Sequence, residues 1–139
     1  MIRTDNYKGA SLKDIKERER KEKDSSLREQ CSQIANERYG EDTVKKWSNT
    51  YKGLFFLPVL NEEEKIDKLA VLKPIDRHIL SFASTKISDE GLYLFLEACM
   101  RECWIDGDKE ILDDDEYFIP AANSLNKLIE GKKAILLKR

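Results

Sequence analysis

One histidine, three cysteines, three prolines and two tryptophans are all that 139 residues contain of these types. Each shortage closes off a class of protein. An odd number of cysteines cannot pair completely into a disulfide framework. The sole histidine, His78, leaves any zinc site dependent on cysteine. No apolar stretch nears the roughly 20 residues a membrane-spanning helix needs; the longest lies near Leu92–Leu96. The six glycines are scattered and build no phosphate-cradling loop. A formal net charge of −2 supplies no global field toward nucleic acid or an anionic membrane. Met1 to Asp5 leads into polar residues with no apolar signal core, so a reducing, cytoplasmic setting is expected.

What the chain does have is charge, and it is unevenly placed. Charged residues make up 37% of the sequence, against about 25% in an ordinary globular domain. Thirteen of the seventeen residues from Lys13 to Glu29 are charged. Acids and bases alternate there, with Glu17–Lys21 and Glu19–Lys23 at the i, i+4 spacing that supports an exposed helix. Ile15 is the only apolar anchor between Leu12 and Leu27, so this stretch is either a solvated helix or ordered only on binding. Ser11 is a candidate cap. Leu27, Cys31, Ile34 and Ala35 then follow helical spacing, which predicts a docked helix from Ser25 or Ser26 to Arg38, ended by Gly40. Residues 1–40 therefore read as a charged helical arm and residues 41–139 as a separate domain.

The fold class expected for that domain is α+β, mainly helical, with one β-hairpin packed on three or four helices. A short helix is expected around Val44 and Trp47. Strand formers fill Leu54–Leu60, and Pro58, which has no N–H to donate, assigns that strand to an edge or a bulge. Lys68–Leu72 is the returning strand. Pro74 suits the first position of a helix with Ile75, Ile79, Leu80, Phe82 and Ala83 on its apolar face. Ser88 reads as the next cap, with Asp89 and Glu90 in the first turn. Leu92, Phe95, Leu96, Cys99 and Cys103 recur at helical spacing, widened by Tyr93, Met100 and Trp104, so this helix is expected to be the most buried element. Asp106-Gly107-Asp108 breaks it. A final helix starts near Asp115, accommodates Pro120, runs through Leu125, Leu128 and Ile129, and is kinked at Gly131 before Ile135 and Leu136.

The residues that could carry chemistry are few. Cys31, Cys99, Cys103 and His78 satisfy a Cys3His ligand count, but the cysteines lie in apolar stripes, which favours buried structural thiols. His78 with Asp76 or Asp89 and a cysteine lacks a strained turn to present a nucleophile. Counted from Asp106, acids fall at the first, third and fifth loop positions, yet Ile111 stands where an EF-hand needs glycine and Tyr117 where it needs a bidentate glutamate. A helix connector, with acids favouring the positive end of the next helix, fits better. Asp106–Glu116 holds seven acids against one lysine, and Lys127–Arg139 five bases against one acid. The two could meet in space or face a partner, though separate solvated patches are the simpler expectation. The basic end is also the one candidate for a small nucleic-acid-binding module.

Several features from Trp47 to Arg139 occur in a familiar order. Trp47 and Tyr51 precede a hairpin whose second strand runs into Leu72-Lys73-Pro74. Cys99 and Cys103-Trp104 follow, then Gly107-Asp108, Asp113-Asp114-Asp115, Phe118, Leu125, Leu128-Ile129 and a lysine-rich tail. This order resembles small proteins encoded by phages and prophages of gut Bacteroidetes. It is similar in layout to phage tail assembly chaperones, in which a hairpin and helices adapt a cytoplasmic protein to the tape measure protein. The resemblance implies a non-enzymatic assembly factor in the host cell, with no catalytic residue, no cofactor and no metal. Its partner would be a tape measure or other virion protein, with neither membrane nor nucleic acid involved and self-association through the hairpin edge open to it. Phe55, Phe56 and Leu57 on the hairpin, with Trp47, are the expected contact residues. The charged arm would serve solubility or a second partner. A virion or capsid-associated accessory protein, whose arm folds on a neighbouring subunit, is the alternative.

Overall fold

The computed structural model describes residues 11–85, 91–131 and 134–139. Within them the protein is a mainly helical α+β fold with a three-stranded antiparallel sheet. Its first helix, α1, runs unbroken from Leu12 to Tyr39. Ser11 starts it with a reciprocal cap: its hydroxyl accepts the Asp14 N–H at 3.1 Å, and the Asp14 carboxylate accepts the Ser11 N–H at 3.5 Å. The helix expected to begin at Ser25 or Ser26 is thus the second half of a longer one. Gly40, at φ 90°, ends α1 and opens α2, Glu41–Tyr51. The rings of Tyr39 and Trp47 pack across that corner, 5.1 Å between centroids.

Strands β1, Phe55–Leu60, and β2, Ile66–Leu72, form the expected hairpin. Asn61 organises the turn: its side-chain oxygen accepts the N–H groups of Glu63 and Lys65 at 2.9 and 3.0 Å. Glu64 takes up the left-handed conformation there, at φ 61°. β1 is an edge strand, and its register shifts between Val59 and Leu60, so Pro58 occupies the kind of strand its missing N–H requires.

The remaining elements are α3, Arg77–Ser84; α4, Leu92–Cys103; β3, Trp104–Gly107; α5, Glu110–Asp113; and α6, Asp115–Glu130. β3 corrects the reading of Trp104 as part of a helical stripe. Its four residues are too few to announce a strand, and only pairing with β2 makes them one. Pro74 is not the first residue of a helix. Asp76 caps α3 instead, its carboxylate accepting the Ile79 N–H at 2.9 Å, because a side-chain acceptor satisfies a helix donor that proline merely lacks. The cap expected at Ser88, with Asp89 and Glu90, lies outside the described residues; Gly91 precedes α4. Gly131, at φ 51°, ends α6 and does not kink it, and Ile135 and Leu136 are exposed beyond it.

Strand alternation divides the sheet into two faces. Leu57, Val59, Ala70 and Leu72 point into one core with Ile79 and Ala83 of α3, Phe95, Leu96, Cys99, Met100 and Cys103 of α4, Ile111, and Phe118, Ala121, Ala122 and Leu125 of α6. Leu69 and Val71, paired with Pro58 and Phe56, face the other way and are just as buried. The second half of α1 lies on that side, with Cys31 and Ala35 buried. The sheet is therefore a middle layer between α1 and the helices α3, α4 and α6.

The β2–β3 seam is tied twice. At Gly107, φ 149°, an added Cβ would stand 2.6 Å from Ala70 Cα and 2.7 Å from the Leu69 carbonyl oxygen, so only glycine permits this approach. Asp108 then completes the ladder. Its N–H donates to the Leu69 carbonyl at 2.9 Å, and its carboxylate accepts the Leu69 N–H at 2.9 Å. The same oxygen takes the Arg38 guanidinium at 3.1 Å, fastening the end of α1 to the sheet.

Candidate functional site

The residues that suggested chemistry are dispersed or already engaged. Cys31 lies on the α1 side of the sheet, while Cys99 and Cys103 lie in the core on the other side. Burial pushes the Cys31 and Cys99 thiols up to about 11 and the Cys103 thiol up to about 12. Thiols held that far above neutrality carry little nucleophilic or metal-binding thiolate. His78 is exposed on α3, and Asp76 beside it is occupied as the helix cap. Among the described residues, no three His, Cys, Asp or Glu side chains are arranged to hold a metal ion.

The acidic run is structural. Asp108 staples the seam, Glu110 takes the Lys68 ammonium at 2.9 Å, and Asp114 caps α6 by accepting the Glu116 N–H at 3.0 Å. Among the described residues its cationic partners are Arg38, Lys68 and Arg101. Among the described residues, no ion pair joins it to Lys127–Arg139.

A concave, mainly apolar surface lies along the free edge of β1. A groove of about 550 Å³ has β1 as its floor, Leu27 of α1 as one wall, and Pro120, Ser124 and Leu128 of α6 as the other. It continues on the α1 side into a hollow of about 390 Å³ bounded by Asp24, Leu27, Arg28, Phe56 and Pro58. Past Leu60 it opens onto an acidic end where Glu62, Glu63, Asp67 and Glu116 gather beside Pro120. Phe55 and Leu60 are each 39% exposed along it, and Leu128 is exposed on the far wall.

The main-chain groups on this edge follow from the seam. Leu69 spends both its N–H and its C=O on Asp108. Pro58, its partner in β1, is therefore in a non-hydrogen-bonded pair, and its carbonyl faces outward. By alternation the N–H and C=O of Phe56 face outward too. The edge presents one donor and two acceptors, with apolar walls on both sides. An extended segment laid there would pair with Phe56 and send alternate side chains toward α1 and α6.

The four expected contact residues separate. Phe55 and Phe56 line the groove on opposite faces of β1. Leu57 also borders it but is turned into the core. Trp47 packs on Tyr39 and is not among the residues lining the groove. The walls, Leu27, Pro120, Ser124 and Leu128, were missed as site residues. Leu27 did carry a signal, as the first apolar residue to interrupt the charged stretch. The joint role of Pro120 and Leu128 depends on α6 lying along β1, which no local pattern encodes.

Comparison with known proteins gives no match, whether to a protein-family model, a curated protein or a solved structure. No described helix is long and apolar enough to cross a membrane.

Proposed function

We propose that this chain is a non-enzymatic binding module that holds an apolar segment of another polypeptide in the β1 groove. It would play the part that tail assembly chaperones play toward a tape measure protein, working in the cytoplasm of a host cell. One observation carries the reading: an edge strand that is unpaired among the described residues lies at the bottom of an apolar trough, where surface of this kind marks an interaction site. The alternatives from chemistry are weaker, because the thiols are buried and split between two sides of the sheet.

The test is coexpression with the proteins encoded by neighbouring genes. The expected result is a stoichiometric complex with a long, apolar-striped helical protein that is insoluble alone, lost on Phe55→Glu or Leu128→Glu. Complexes that survive both substitutions would overturn the assignment to this groove. A second reading, a virion or capsid-associated accessory protein, is favoured by the first half of α1, which is exposed at every residue from Leu12 to Ser26. Retention of the chain in finished particles would select it; a chaperone is absent from them.

A further inference from the structure

Beyond Gly131 the segment Ala134–Arg139 forms neither helix nor strand, and its apolar residues are bare. Ile135, Leu136 and Leu137 are 79%, 100% and 80% exposed. Three consecutive large aliphatic side chains in water are unfavourable relative to burial. They are also strand formers or strand-compatible, and they lie outside the chain's own groove. We infer that the β1 groove of one copy takes residues Ala134–Arg139 of a second copy as an added strand, giving a reciprocal pair in which each molecule supplies one tail and one groove. This rests on the reading of the groove as a site for apolar polypeptide, and names an occupant for it.

Two features of the two surfaces match. The first is side-chain alternation. A strand paired with β1 sends Ile135 and Leu137 to one side and Leu136 to the other, and both sides of β1 are apolar: Phe55 and Leu128 toward α6, Leu27 and Phe56 toward α1. The second is charge. With the tail running parallel to β1, Lys138 and Arg139 arrive at the Leu60 end, beside Glu62, Glu63, Asp67 and Glu116. The opposite direction would bring them to Asp24 and Arg28, where the charges cancel. Parallel addition is therefore the favoured direction. Pro58 limits the pairing to the Phe56 N–H and C=O and the Pro58 carbonyl, which suits a short reversible strand better than an extended fibril. Exchange of the same two surfaces closes a two-fold pair and leaves none unsatisfied.

The test uses the full chain with Leu136→Asp as the tail variant and Phe55→Glu as the groove variant, with Leu128→Glu as a second groove variant. All three positions are exposed, and circular dichroism checks that each variant keeps its helical content. In sedimentation equilibrium the parent chain is expected to dimerise with rising concentration, and each variant alone to stay monomeric. Mixing Leu136→Asp with Phe55→Glu should restore a heterodimer through the one intact tail and the one intact groove. A fluorescent peptide of sequence Ala134–Arg139 should bind the Leu136→Asp chain and lose at least about tenfold in affinity on Phe55→Glu, a change of about 1.4 kcal/mol. Its affinity should also fall as salt rises from about 50 to about 500 mM, through screening of Lys138 and Arg139.

A parent chain monomeric at every concentration, with the peptide binding only when the tail is disabled by Leu136→Asp, would overturn the exchange in favour of a tail folding onto its own groove. No peptide binding and no dimer would overturn it outright. The groove reading would then stand if the coexpressed complex is still lost on Phe55→Glu, and would fall with it if that complex is unaffected.

Discussion

The two sides of β2 have been finished differently. Toward β3, every main-chain group of Leu69 is matched, Gly107 brings the backbones into contact, and Asp108 adds a tie to Arg38. Toward β1 the hairpin is equally regular, but among the described residues its outer edge is left unpaired between apolar walls. Both regions cost the chain special residues: glycine and aspartate at the seam, proline at the edge. At the seam these residues close the structure. At the edge, Pro58 removes one donor and leaves the Phe56 N–H and the two carbonyls available. The first is where stability resides, and the second is where an interaction can be added without disturbing the fold.

Substitutions should sharpen that contrast. Gly107→Ala is expected to have the largest effect, a loss of about 3 kcal/mol, because its Cβ meets backbone that cannot swing away. Urea denaturation measures it, and a loss well under about 1 kcal/mol would mean the seam is looser than described. Asp108→Ala should cost roughly 2 kcal/mol, since it leaves the partly buried Leu69 N–H without its acceptor. Asp108→Asn keeps an acceptor and weakens only the half-exposed Arg38 pair, so it should cost less than about 1 kcal/mol. Equal losses for the two would assign the stapling to charge and not to the ladder.

At the open edge, Phe55→Glu should lower stability by about 1 kcal/mol or less while abolishing groove binding. A loss as large as that of Gly107→Ala would make Phe55 a core residue and erase the distinction between the two regions. Smallest and opposite in sign, Glu64→Gly should stabilise by about 0.5 kcal/mol. It relieves a left-handed glutamate, at φ 61°, while giving back part of the gain in unfolded-chain entropy. A thermal melt that moves down would place the Glu64 side chain in an interaction of its own.

Much of this architecture was legible because it is local. Gly40 ends α1 where helical spacing stops, and the charge alternation of Lys13–Asp24 sustains a helix that is exposed along its length. Pro58 marked its strand as an edge, and Asp114 and Asp115 lie at the start of the last helix. The misses share a cause. Trp104–Gly107 continues the periodicity of α4 and becomes a strand only through a partner more than thirty residues earlier in the chain. Asp108 looked like one acid in a solvated run, yet its contacts are Leu69 and Arg38, both remote in sequence. The groove walls come from α1 and α6, near opposite ends of the chain, and so could not be read as a site.

Residue by residue, the order of helices and the hairpin, the exposure of the charged stretch and the edge character of β1 were determined by the sequence itself. These follow from periodicity, capping side chains and a missing N–H, which act over a few residues. Only the tertiary structure decided that the sheet has a third strand, that Asp108 pins it to α1, and that α1 and α6 leave a trough along the free edge. Those depend on which distant surfaces bury each other, and that is a property of the packed molecule as a whole.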